Sequence, residues 1–185
     1  LPKRARFAGL FSGLARCLAS FKTAPPEGAP VPHPRSTASI AGHPLHAMLV
    51  PIPIACFVGT LFTDIAYAET ATMQWANMSA WMLTVGLIVA LLAVIAGLVD
   101  FAGDSRVRDL TAVWLHAGGN AVALVLEIFN AFIHSRDAYT SVVPTGLILS
   151  ALSVVILAGT AWLGSSLVYR HGVGVAARTD PDNAL

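Results

Sequence analysis

The chain has 185 residues, 56% of them hydrophobic and only 11% charged, with a formal net charge of +1 and a mean hydropathy of +0.70. Soluble domains carry about 25% charged residues, so the composition excludes a water-soluble globule, and its hydrophobicity excludes a disordered chain. The near-zero charge gives no basic field for nucleic acid, and two cysteines, Cys17 and Cys56, make neither a disulfide framework nor an all-cysteine zinc site.

Residues 1–41 read as a separate region. Phe7, Leu10, Phe11, Leu14, Leu18 and Phe21 recur at helical spacing beside Arg6, Arg16 and Lys22. This pattern predicts a basic amphipathic helix, either lying on an anionic leaflet or docking a partner. Arg16 interrupts any signal-peptide core. Thr23–Arg35 holds Pro25, Pro26, Pro30, Pro32 and Pro34 and predicts an extended spacer.

Four apolar stretches follow within residues 42–175, at about Leu45–Ile65, Met78–Val99, Thr111–Ile133 and Val143–Val168. Each approaches or exceeds the ~20 residues a helix needs to cross hydrocarbon. The connectors Ala66–Asn77, Asp100–Leu110 and His134–Val142 are short. Short connectors force antiparallel neighbours, so the expected fold is all-α: an integral membrane bundle of four transmembrane helices, preceded by the amphipathic surface helix. No internal repeat is evident. Residues 176–185 form a polar C-terminal tail. Of the eleven Lys and Arg, only Arg136 falls on the side opposite the termini. The positive-inside rule therefore predicts cytoplasmic termini.

An ionisable residue inside a span is a functional candidate by default. The first stretch opens with Gly42-His43-Pro44-Leu45-His46. His43 and His46 lie three apart, on one helical face. Pro51 and Pro53 follow, removing donors to the carbonyls of Ala47 and Leu49, and Asp64 sits near the far end. The second stretch is apolar until Asp100. In the third, His116, Asn120, Glu127, Asn130 and His134 fall within an arc of about 80°, a stripe that must face the bundle interior. The fourth carries only small hydroxyls, Ser150, Ser153, Thr160, Ser165 and Ser166, before Arg170 and His171.

Depth divides the set. His43, His46, Asp100, His116 and His171 gather at the end bearing the positive charges, while Asp64 and His134 belong to the other half. Each also has a plain structural reading. His43 caps a helix, His171 is solvated, Asp100 terminates its helix or pairs with Arg106 or Arg108, and His116 with Asn120 is interhelical hydrogen-bond glue. Glu127, mid-helix, is protonated, wetted, or paired with Asn130 or His134.

The runs GHPLHAMLVPIP, LVDF, WLHAGGN and LVYRHGVGV together resemble an uncharacterised family of four-helix bacterial membrane proteins, domain of unknown function 2231, over about Gly42–Val175. The resemblance highlights His43, Pro44, His46, His116, Asn120, Arg170 and His171. It implies an inner-membrane four-helix domain. Through relatives joined to Rieske-type and sugar-dehydrogenase-like modules, it also implies electron transfer.

Four functions compete. The first is a haem b site for electron transfer, possible quinone chemistry included, with His46 and His116 as axial ligands. Arg106, Arg108 or Arg170 would neutralise the propionates, and His43 or His171 would serve a second site. The second is a bare Zn, Fe or Cu site built from His43, His46, Asp100 and His116. The third is a proton or ion path along Asp64, Glu127, Asn130 and His134. The fourth is an assembly subunit anchoring other membrane or redox subunits, or a second copy of itself. There is no CxxCH, GxSxG, Walker A or GxGxxG motif, so c-type haem attachment, serine hydrolysis and phosphate binding have no support.

Overall fold

A computed structural model describes residues 34, 36–136 and 142–175. The amphipathic segment, most of the spacer and the tail lie outside the described residues. Four helical spans are long and apolar enough to cross a membrane: span 1 (Leu45–Thr70), span 2 (Met73–Gly103), span 3 (Thr111–His134) and span 4 (Val142–Tyr169). The chain is an all-α integral membrane protein.

The proline pair leaves its mark on span 1. The helix runs Leu45–Leu49, passes through Val50, and resumes at Pro51–Thr70 with proline in its first turn. There proline's fixed φ and missing N–H cost least. Ahead of it, β1 (Ser39–Ile40) pairs antiparallel with β2 (His43–Pro44). Their turn residues, Ala41 and Gly42, have φ of 50° and 80°, the left-handed pair that a tight two-residue hairpin requires.

Span 2 starts earlier than hydropathy suggests. Span 1 ends at Ala71, which takes a left-handed φ of 50°, and span 2 begins at Met73. The connector is therefore Ala71–Thr72, not Ala66–Asn77. Glu69, Gln74 and Asn77 lower the local hydropathy without breaking the helix, because hydropathy marks hydrocarbon depth and not helix length. Span 4 enters through Val142–Gly146, where Val143 leaves helical dihedrals (φ −115°, ψ 126°).

Spans 1 and 2, 2 and 3, 3 and 4, and 4 and 1 pack side by side, leaving spans 1 and 3 on a diagonal. Phe57, Leu83, Ala123 and Leu157, one from each span, fill the central apolar layer. The outer face is apolar and exposed, with Trp81 and Trp162 at 72% and 74%, as expected of surface that meets lipid.

The two hairpins repeat one another, a relation hidden in the raw sequence. Seventy residues separate His46 from His116 and Asp64 from His134, the first pair within a shared Leu-His-Ala frame at Leu45–Ala47 and Leu115–Ala117. The buried positions Pro53, Phe57, Thr60 and Asp64 of span 1 recur at that interval as Ala123, Glu127, Asn130 and His134. Ser79, Leu83, Gly86 and Ala93 of span 2 recur at a fixed interval as Gly146, Ser150, Ser153 and Thr160. The repeat escapes notice because almost every equivalent pair differs in residue type; what is kept is position and burial.

Candidate functional site

At the end bearing Arg106, Arg108 and Arg170, hereafter the basic end, His46 and His116 meet across the diagonal. Their ring centroids lie 6.2 Å apart with planes at 83°. His46 Nδ1 bonds the Ala93 carbonyl of span 2 at 2.8 Å, and His116 Nδ1 bonds the Thr160 carbonyl of span 4 at 2.8 Å. A carbonyl only accepts, so each ring carries a proton on Nδ1; the Asn120 amide nitrogen lies 3.4 Å from His116 Nε2.

Each ring also rests on a glycine one turn beyond its carbonyl partner. A Cβ at Gly97 would lie 3.0 Å from His46 Nδ1, and one at Gly164 would lie 3.0 Å from His116 Cε1. The same device appears once in each hairpin: imidazole, neighbouring carbonyl, and glycine four residues on. Asn120 braces the second copy. Its Nδ2 donates to the His116 carbonyl at 2.7 Å, and its Oδ1 accepts from Thr160 Oγ1 at 3.3 Å.

Other candidates are held elsewhere. His43 is exposed in the hairpin before span 1, so it does not share a helical face with His46; the left-handed turn at Ala41–Gly42 ends the helical register. Asp100 holds the incoming chain: its Oδ1 accepts from Ser36 Oγ at 2.9 Å and the Ala38 amide at 2.7 Å. It pairs with neither arginine. Arg106 instead pairs with Asp104 at 2.7 Å, and that hydrogen bond pushes its guanidinium further up. Arg108 Nη1 donates to the carbonyls of Phe101 and Ala102 at the end of span 2. Arg170 and His171 are exposed, with His171 Nδ1 at 3.2 Å from the Ser166 carbonyl. The Gly172–Gly174 turn folds back so that the Gly174 amide donates to the Pro34 carbonyl. Among the described residues, no three His, Cys, Asp or Glu side chains come together as a bare metal would need.

A second cluster fills the other half of the bundle. Asp64 of span 1 accepts at Oδ1 from Ser79 Oγ at 2.6 Å and from His134 Nε2 at 2.9 Å, and at Oδ2 from Ser150 Oγ at 2.6 Å. His134 Nδ1 donates to the Asn130 carbonyl at 2.9 Å, and the ring packs against Gly146. Asn130 Nδ2 donates to Ser150 at 2.9 Å and to Glu127 Oε2 at 3.3 Å. Thr63 and Ser79 share a 2.7 Å hydrogen bond. Asp64, Glu127, Asn130, Ser79, Ser150 and Ser153 are all fully buried.

Hydrogen-bond valence assigns charge here. Asp64 accepts from Ser79 and Ser150, His134 Nδ1 donates to the Asn130 carbonyl, and one proton lies between Asp64 Oδ1 and His134 Nε2, so the pair is net neutral whichever atom holds that proton. Sequence reasoning placed Asp64 and His134 at one depth but did not pair them. It also passed over Ser79 and the seats at Gly97, Gly146 and Gly164. The signal available for these was the repeat, since each glycine seat lies one hairpin interval from a small residue.

No curated protein and no solved structure matches the chain. A family model matches residues 42–177, which takes in both hairpins and both clusters. The chain belongs to the family described as "Predicted membrane protein (DUF2231)".

Proposed function

We propose that this protein is a membrane-embedded electron-transfer subunit that binds haem b through His46 and His116. The observation that carries the reading is the paired imidazole geometry. Two rings, one from each hairpin, meet at one level with Nδ1 tied to a backbone carbonyl; Nε2 would be the ligand atom, which in His116 requires the Asn120 amide, now 3.4 Å from it, to give way. This is the outer-shell arrangement that orients ligating histidines. The separation of 6.2 Å also suits one ion held by both rings at about 2.0–2.1 Å per nitrogen.

The donor set favours haem over a bare ion. Structural zinc takes four protein ligands and catalytic zinc three, whereas this site offers two imidazoles. A macrocycle supplies the remaining four, and haem then provides one-electron chemistry between its two iron states. Alanine, glycine and threonine line spans 2 and 4 at this level (Ala93, Gly97, Thr160, Gly164), leaving backbone accessible. Arg170, exposed at the same end, is the arginine best placed to meet propionates; Arg106 and Arg108 are already engaged.

The charge distribution supports cytoplasmic termini, and the family resemblance supports a bacterial inner-membrane location. The haem then lies near the cytoplasmic side, within reach of a soluble donor, a quinone or a partner subunit. The test is the optical spectrum of protein purified from haem-replete cells. A reducible Soret band lost in His46→Ala and in His116→Ala supports the reading. A colourless preparation overturns it, and a metal stoichiometry that vanishes with the same substitutions assigns the rings to a bare Zn, Fe or Cu ion instead.

A further inference from the structure

Asp64 and His134 neutralise one another, which leaves Glu127 without a cationic partner. Its side chain is fully buried, its Oε2 receives a single 3.3 Å hydrogen bond from Asn130, and its Oε1 receives none. Asn130 Oδ1 and Ser153 Oγ are equally buried and equally without a partner. Asn130 lies one turn along span 3, and Ser153 approaches Glu127 from span 4.

Among the described residues, the titratable and hydroxyl groups of this cluster come from all four spans. Span 1 contributes Asp64 and, one turn further out, Tyr67. Span 2 contributes the Ser79 hydroxyl. Span 3 contributes His134, two turns along, and span 4 contributes Ser150 and Ser153. Among the described residues, no lysine or arginine is buried. An ionised Glu127 would be a net negative charge inside hydrocarbon, a state proteins avoid by neutralising the group. A hydrogen on Oε1 removes the charge and offers a donor to the buried acceptor Asn130 Oδ1, while the Ser153 hydroxyl can donate to Glu127 or accept from it.

We infer that Glu127 is the binding site of one exchangeable proton. In the loaded state the Glu127 O–H donates to Asn130 Oδ1 or to the Ser153 hydroxyl. On release the proton passes to water and its bonding pair stays on Oε1. The inference is independent of what His46 and His116 hold.

The test is infrared spectroscopy of the full chain in lipid at neutral pH, in H2O and then in D2O. The expected result is a protonated-carboxyl C=O band that shifts in D2O and is missing from Glu127→Gln. That variant should also melt close to wild type, because the amide is neutral and of the same shape. Absence of the band, its persistence in Glu127→Gln, or its failure to shift in D2O overturns the proposal. So does a sodium-dependent rise in wild-type melting temperature that Glu127→Gln abolishes, which would make the ligand a metal cation. Should the glutamine variant not fold, the presence or absence of an exchanging band in the wild type still decides.

Discussion

Gly97 and Gly164 act through what they lack. Each leaves room for a ring whose Nδ1 must reach a carbonyl one turn back, and any Cβ there meets the imidazole at 3.0 Å. Gly97→Ala and Gly164→Ala should each cost about 1–3 kcal/mol through overpacking, read as a lower melting temperature, and should weaken or shift any Soret band. Gly118→Ala is the control, since nothing lies within 4 Å of a Cβ at that position, and it should leave both readouts unchanged. At the other end, Asp64→Asn takes away the carboxyl that His134 Nε2 bonds in the buried pair. Breaking such a pair from one side typically costs about 3–5 kcal/mol. Asp64→Asn combined with His134→Gln should be less destabilised than the sum of the single variants, which thermal melts in a double-mutant cycle will show.

Among single elements, span 3 was the most readable. Its five polar residues sit at helical spacing on an otherwise apolar surface, so sequence alone sets the face it buries. Span 2 was the least readable at its ends. Its first five residues are polar enough to resemble a loop, and its last turn carries Asp100, which could equally have served a ligand site. Asp100 in fact docks the chain that enters the bundle, a role invisible to periodicity because Ser36 and Ala38 lie more than sixty residues away in sequence. Asp100→Ala should free that segment. Hydrogen exchange at the Ala38 amide should accelerate markedly while amides in mid-span stay protected, and the ligand site at His46 should survive.

For the whole molecule, composition and four apolar runs were enough to give the bundle, because hydrocarbon permits few backbone solutions. The meeting of His46 with His116 was also within reach, since both lie a few residues into spans that start from the same side. The meeting of Asp64 with His134 was not. It depends on which spans stand on the diagonal, and hydropathy carries no information about neighbour order. The repeat carries that information, but only after burial shows which residues correspond. Orientation belongs to this scale too. Cysteines introduced at Arg136 and at Arg170 should react with a membrane-impermeant maleimide from opposite faces of oriented vesicles, and labelling of both from one face would contradict the four-span topology.

The duplicated hairpins suggest that the protein can be taken apart along its own seam. A gene cut between the codons for Arg136 and Val142 would yield two fragments, each a self-contained pair of helices able to insert unaided. Each fragment would own one imidazole, and each would hold one member of the Asp64–His134 couple. On the haem reading proposed above, neither half gathers a pigment by itself. Co-expression should then restore it, making colour a direct report on the reunion of the two halves.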